Sequence, residues 1–220
     1  MRVAVIVPFR DRGNDPNRAA NLPRIIEWYE AAELPVHVVN DGRTGTAPFN
    51  RHAAYNQGAQ ATTAEVLCYI EADTLIPHHQ LDEAIHEAIE QPRLVIPFTS
   101  LWHLDEPDTI AVRNGSDPRD YEPIEKTPHQ RNAGAANILT RTTLDLAGGW
   151  DEGFDGHWYD DDAMKILFER ATGNPTHYIT GVAYHLHHLS ASRGRHLTAA
   201  DRAATTRNRT RLRQYRQGIR

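Results

Sequence analysis

The sequence predicts an α/β protein built on a mostly parallel, doubly wound sheet, and two observations carry that prediction. Short apolar runs with few polar interruptions occur at 3–8, 36–39, 66–70, 94–98 and 136–139, as in strands buried on both faces. Stretches of helical spacing separate them, so that the chain reads βαβαβα. Folds of this kind bind ligands in the crevice beyond the carboxyl ends of their strands.

Each element has its own local warrant. The first run ends at Pro8 and is followed by Phe9, Arg10, Asp11 and Arg12. Asp15 and Pro16 supply an N-cap and a first-turn proline, and Leu22, Ile25, Ile26 and Tyr29 then fall at i, i+3, i+4 and i+7. The second run leads to Asp41 and Gly42, and the third to Glu71-Ala72-Asp73. Leu81, Ala84, Ile85, Ala88 and Ile89 repeat the helical spacing until Pro92 stops it. Residues 104–133 lack periodicity and carry Asp, Pro, Asn and Gly, which predicts a long loop serving as a lid. After the Gly148-Gly149 turn, Asp160-Asp161-Asp162 opens a helical stretch over 163–170. A strand is expected over 178–183, and a closing helix begins at a capping box of Thr198 and Asp201, with Leu212, Tyr215 and Ile219 as its apolar stripe.

At 220 residues, 40% hydrophobic and 24% charged, the chain is long enough for one good core and has the composition of a soluble globular protein. Cys68 is the one cysteine, so no internal disulfide can form, which favours a reducing compartment. The first apolar run is too short to span a bilayer, and nothing resembles a signal peptide; a cytoplasmic protein without a membrane partner is expected. The net charge of −5 hides an asymmetry. Residues 193–220 hold nine arginines against Asp201 alone, a net +8, leaving −13 on residues 1–192. That split divides the chain into a main domain, 1–192, and an arginine-rich helical tail, 193–220.

Several clusters point to chemistry. Three consecutive carboxylates beside Trp158 and Tyr159 raise one another's pKa, and such crowding is kept where a substrate, metal or hydroxyl proton offsets it. Helix-start electrostatics explains the charges but leaves the neighbouring glycines and tryptophans unexplained. Glu71 and Asp73, at i and i+2 on a strand end, project to one side and can share a hard cation. His185 and His187 share one face of an extended segment, and imidazole beside Asp favours a transition metal, although three adjacent histidines, with His188, leave the ligand's identity open. Arg10, Arg12 and Arg51 offer forks for phosphate, and Phe49 a ring for a base. Neither a Walker lysine loop nor GxGxxG accompanies them, which disfavours P-loop NTPases and dinucleotide oxidoreductases.

Taken in order, Pro8-Phe9-Arg10-Asp11-Arg12, Phe49-Asn50-Arg51, Glu71-Ala72-Asp73, Gly148-Gly149-Trp150-Asp151 and Asp160-Asp161-Asp162 resemble the landmarks of the GT-A glycosyltransferases. The likeness is to the inverting β-1,4-galactosyltransferases and their bacterial family-two relatives, over roughly residues 2–190. The resemblance implies a GT-A sheet of Rossmann type, a nucleotide-sugar donor such as a UDP-sugar, and Mn2+ or Mg2+. By matching position it implies donor contacts from Pro8, Arg10, Arg12, Asp41, Phe49, Asn50, Arg51, Glu71 and Trp158. It makes Asp73 the metal-binding end of the DxD motif, His185 the late metal-binding histidine with His187 beside it, Asp161 the general base and Asp160 the acceptor contact. Glu71 in place of the usual first aspartate, and His157-Trp158-Tyr159 in place of a glycine-rich segment, leave sugar and acceptor open.

A nucleotidyltransferase would share the sheet and acidic site, but it would carry a glycine-rich basic loop where this chain has Pro8-Phe9-Arg10. A non-enzymatic nucleic-acid-binding module accounts for the arginine tail but not for the acidic positions. On a helix, Arg209, Arg213, Arg216 and Arg220 form one stripe that suits a polyanionic acceptor such as a modified DNA base. The same arginines equally suit pairing with the acidic body of the chain.

Overall fold

The computed structural model describes residues 1–128, 134–189, 194 and 196–219. In chain order its elements begin β1 (Val3–Pro8), α1 (Pro16–Glu30), β2 (Val36–Val39), α2 (Arg51–Ala61), β3 (Val66–Ile70), β4 (Thr74–Leu75), α3 (His78–Glu90), β5 (Val95–Ile96) and β6 (Ser100–His103). They continue with α4 (Glu106–Arg113), β7 (Glu125–Pro128), β8 (Ala136–Thr140), α5 (Arg141–Ala147), α6 (Asp160–Thr172), β9 (His177–Tyr178), β10 (Val182–His185) and α7 (Ala199–Arg216).

Six strands form the main sheet in the order β2-β1-β3-β8-β5-β9. β1 lies parallel to both β2 and β3, and β5 parallel to β9, while β8 runs antiparallel to each of its neighbours. Successive side chains of β1 enter opposite cores, as alternation along a strand requires. Val5 and Val7 belong to one buried cluster with Ile25 and Tyr29 of α1 and Leu81 of α3. Ala4 and Ile6 belong to the opposite cluster, with Tyr55 of α2, Phe168 of α6 and Leu212 of α7. The sheet is therefore covered on both faces, which is why its strands are apolar throughout. α2 lies so close to β1 that a Cβ at Gly58 would press into the Ile6 side chain.

A second, four-stranded sheet has the order β4-β10-β6-β7. It was not legible in the sequence, because β4 is two residues long, β6 and β10 are only partly buried and β7 is mostly exposed. Two expectations need correction here. The stretch 104–133 is not a structureless loop, since α4, a 3₁₀ turn at Pro118–Asp120 and β7 occupy much of it; residues 129–133 lie outside the described residues. The strand expected over 178–183 is two strands in different sheets, β9 and β10, parted by a turn at Gly181, whose φ is +156°.

α7 starts at the capping box of Thr198 and Asp201, with both reciprocal hydrogen bonds formed. Its buried positions are Asp201, Ala204, Asn208, Leu212 and Tyr215, at successive spacings of three or four, so one face of the helix lies against α6 and the loop before it. Ile219, expected in the apolar stripe, is exposed. Arg220 and the 192/193 boundary of the expected tail lie outside the described residues.

Candidate active site

A cavity of about 1150 Å³ opens at the carboxyl ends of β1 and β3, bounded on its other sides by the second sheet and the start of α6. Of the residues singled out in the sequence, Pro8, Phe49, Arg51, Glu71, Trp158, Asp160, Asp161, His185 and His187 line it.

Asp73 sits between the two sheets, in the turn that joins β3 to β4, and is fully buried. The antiparallel ladder of β4 with β10 sets Thr74 opposite His185, which brings His185 Nε2 to 3.6 Å from Asp73 Oδ1. Just past β10, His188 Nε2 stands 3.3 Å from Asp73 Oδ2. The ligating atoms of Asp73, His185 and His188 all fall within 4.8 Å of one another. His187 does not join them. The strand ends at His185, so alternation no longer governs the next residues, and the His187 backbone is instead tied to Thr109 and Asn21.

The chemistry of this donor set fits a divalent transition metal. Asp73 Oδ2 is buried and receives no hydrogen bond of good geometry, although it lies within ion-pair distance of Arg18 and His188. Burial pushes the Asp73 carboxyl upward, but Arg18, His188 and His185 outweigh it and hold the group below the usual carboxylate range. Burial drives His185 down to about 3, so its imidazole is neutral and can donate a lone pair. His188 Nδ1 is 2.6 Å from the Leu189 carbonyl, which can only accept. Nδ1 can therefore donate a proton to that carbonyl, which leaves Nε2 as the ring atom directed at Asp73.

The second centre is a carboxylate hub around Arg51, the first residue of α2. Its guanidinium pairs with Glu71, Asp160 and Asp161 and also donates to the Gly134 carbonyl. Asp160 additionally faces His52 Nε2 at 3.7 Å. Burial raises the Asp160 carboxyl, yet Arg51 and His52 prevail and lower it. Asp161 responds in the opposite sense. Burial, opposed by Arg51 but reinforced by the Asp160 and Glu71 charges, raises it to about 7, although 31% of its side chain remains exposed. Gly134 is required here, since a Cβ at that position would run into the Asp161 carboxylate.

The chain enters α6 through Trp158 and Tyr159, both at φ +74°, a left-handed conformation costly for bulky residues. Asn208 of α7, almost fully buried, holds this loop. Its Nδ2 donates to the carbonyls of Asp155, His157 and Trp158, and its Oδ1 accepts from the Asp155 amide.

Four residues expected at the donor do not face the main cavity. Arg10 is spent on Asp41 and on the carbonyls of Gly45 and Ala47, and Arg12 on Asp201 and the Thr46 carbonyl; both line a small adjoining cavity of about 70 Å³. Asp41 is buried and also accepts from the Asn50 amide. Asn50 caps α2 through Ala53 and donates to Glu152 and Asp155. These four residues shape the loop over 41–50, and Phe49 emerges from it into the cavity. On the tail, Arg216 pairs with Asp162 at the cavity rim, while Arg209 and Arg213 are exposed and form no ion pair among the described residues. Arg18, His52 and Asn208 were missed from sequence: Arg18 and His52 stand in the first turns of α1 and α2, and Asn208 within α7, and no local pattern marks their contacts.

No family model matches the sequence. Over 198 residues, 86% of this chain, it is 27% identical to the O-antigen biosynthesis protein RfbC of Myxococcus xanthus, of whose length it spans 14%. Among solved structures, a Drosophila β-1,4-galactosyltransferase 7 mutant in complex with manganese, UDP-Gal and xylobiose is similar with a TM-score of 0.55. That match is at 18% identity and covers 84% of this chain and 71% of the other. The fold is GT-A. A GT-A assignment also agrees with glucosyl-3-phosphoglycerate synthase of Mycobacterium tuberculosis, in complex with Mn2+, UDP and glucosyl-3-phosphoglycerate. There the TM-score is 0.50 at 14% identity, with 99% of this chain and 80% of the other covered. Within the GT-A fold described here, no helix of the described residues is long and apolar enough to cross a membrane.

Proposed function

We propose that this protein is a metal-dependent glycosyltransferase that moves a sugar from a nucleoside-diphosphate donor, a UDP-sugar, to an acceptor hydroxyl with inversion. One observation carries the reading: His185 and His188, whose ligating atoms cluster with that of buried Asp73, line the same cavity as Asp161, a carboxyl poised near pH 7. The manganese and UDP-sugar named for the Drosophila enzyme, and the Mn2+ and UDP named for the mycobacterial synthase, support the choice of donor.

Asp73, His185 and His188 would hold Mn2+ or Mg2+, which when bound supplies positive charge against the leaving diphosphate. Phe49 offers a ring at the cavity wall for the base, and exposed Trp158 an apolar face for a sugar. Asp161 takes the proton from the acceptor hydroxyl, and Asp160, fixed by Arg51 and His52, keeps Arg51 where it orients Asp161. With one base beside the donor space, a single in-line displacement inverts the anomeric centre.

The acceptor reading rests on α7. Arg209 and Arg213 extend from Arg216 along one helix face, and Arg216 meets the cavity rim through Asp162. A polyanionic acceptor, with a modified DNA base as one form, fits that basic approach. Residues 1–192 serve as the catalytic unit in this reading and 193–220 as its acceptor-side extension, in a cytoplasmic setting that suits the buried, unpaired Cys68. Incubation with a panel of UDP-sugars and Mn2+ tests the proposal. Metal-dependent release of UDP from one of them is expected, and no release with any sugar, with or without acceptor hydroxyls, overturns it.

A further inference from the structure

We propose that Arg18 couples metal binding to donor binding: it competes with the cation for Asp73 and His188, and moves to the donor diphosphate once the cation takes its place. The inference rests on the metal reading above and concerns a residue outside the sequence motifs.

Arg18 projects from the first turn of α1, next to the N-cap Asp15. Its NH2 group lies 3.2 Å from Asp73 Oδ2 and 3.3 Å from His188 Nε2. These are the two atoms that His188 and Asp73 would offer a cation. The guanidinium and a divalent ion cannot both occupy that position, because like charges at such separations repel strongly away from bulk water. Asp15 closes the arrangement from behind, accepting from the Leu189 amide at 3.0 Å and facing His188 Nδ1 at 3.5 Å.

Arg18 also has somewhere to go. Its side chain is 32% exposed, and it borders both the main cavity and the small cavity beside Arg10 and Arg12. Of the three arginine and lysine side chains on the main cavity, Arg51 is engaged by three carboxylates and Lys165 contacts Tyr178 and Glu169, so Arg18 is the cation best placed at the metal end. A diphosphate held beside the metal offers the paired oxygens that a guanidinium binds through two parallel hydrogen bonds. The cation alone must therefore displace Arg18 without recompense. With the diphosphate present, the displaced guanidinium gains a new anionic partner. By linkage each ligand then raises the affinity for the other by the same factor.

Calorimetry separates the terms, with Mn2+ titrated alone and UDP titrated at saturating Mn2+, into wild type and Arg18→Gln. Arg18→Gln is expected to bind Mn2+ alone at least about fivefold more tightly, and UDP in the presence of Mn2+ at least about fivefold more weakly, so that the mutual enhancement collapses. Mn2+ affinity that is unchanged or weaker in the variant overturns the inference, as does UDP affinity equal to wild type. Arg18→Lys, which keeps charge without the fork, should recover the block on Mn2+ but only part of the UDP affinity. Asp73→Asn is the independent control. If it binds Mn2+ as wild type does, the metal reading itself falls, whatever Arg18 does.

Discussion

The Asn208 carboxamide nitrogen donates to the Trp158 carbonyl oxygen at 3.2 Å, and this bond joins the basic C-terminal helix to the most strained point of the cavity wall. Two further carbonyls, of Asp155 and His157, share the same donor. The loop before α6 is thus held by a side chain from about fifty residues further along. Asn208→Ala should leave Mn2+ and UDP binding near wild type, because Asp73, His185 and His188 stand on other elements. Turnover of the UDP-sugar should fall on the order of tenfold or more, as misplacement of a reacting group typically costs. Normal turnover in a folded Asn208→Ala protein would show that the loop keeps its shape unaided.

The Asp161 carboxyl sets a pH dependence of opposite sign for activity and stability. As a base it must be ionised, so kcat/KM should rise with pH through an apparent pKa near 7. The folded chain keeps this proton up to about pH 7, whereas an unfolded aspartate releases it near the ordinary value of 3.8. Between those values the folded state binds more protons and loses stability as pH rises.

Asp161→Asn should accordingly lower transfer by about two to four orders of magnitude with UDP binding preserved. The same change should stabilise the protein at pH 8, by on the order of 1 kcal/mol or about 2–4 °C in Tm, and have little effect at pH 5. Thermal melts at both pH values decide the stability half. A variant less stable at pH 8 would mean that the Arg51 pairing outweighs the crowding of carboxylates.

The three late histidines should separate cleanly in Mn2+ titrations with UDP present. His185→Ala and His188→Ala should each weaken binding by about 10-fold or more, on the scale of losing one group from a small ligand set. His187→Ala should change it little, because the His187 backbone, not its ring, is held by Thr109 and Asn21. Loss of Mn2+ affinity in His187→Ala together with normal affinity in His188→Ala would move the site by one residue.

For the acceptor, affinity for duplex DNA, including hydroxymethylated DNA, should fall steeply with salt. Arg209→Gln with Arg213→Gln should flatten that slope by about two counterions. UDP-sugar hydrolysis should be untouched by the pair. Binding that ignores salt, or no binding at all, removes the polyanion reading and leaves the arginines as a solvated face.

How much of this was legible depended on whether a local pattern carried the signal. Every strand of the main sheet except β9, together with helices α1, α3 and α6, was readable, since burial on both faces imposes apolar runs and one-sided burial imposes 3.6 spacing. α2 was not, because its buried face is made of His52, Ala53, Ala54, Tyr55 and Gly58, which makes no amphipathic stripe. Asp161 and Asp73 were found by their clustering. Arg10 and Arg12 misled because a guanidinium that fits phosphate fits a carboxylate equally well, and only the fold shows Asp41 and Asp201 already in place. Asn208 left no trace, since an asparagine in a polar helix signals nothing until a loop turns out to lie beneath it.

The bond between Arg12 and Asp201 spans 189 positions of sequence, and that from Asn208 back to Trp158 spans 50. A growing chain would therefore complete its sheet well before the wall of its cavity. A chain in which α7 has not yet docked would hold most of its core while the loop before α6 lacked its contacts with Asn208.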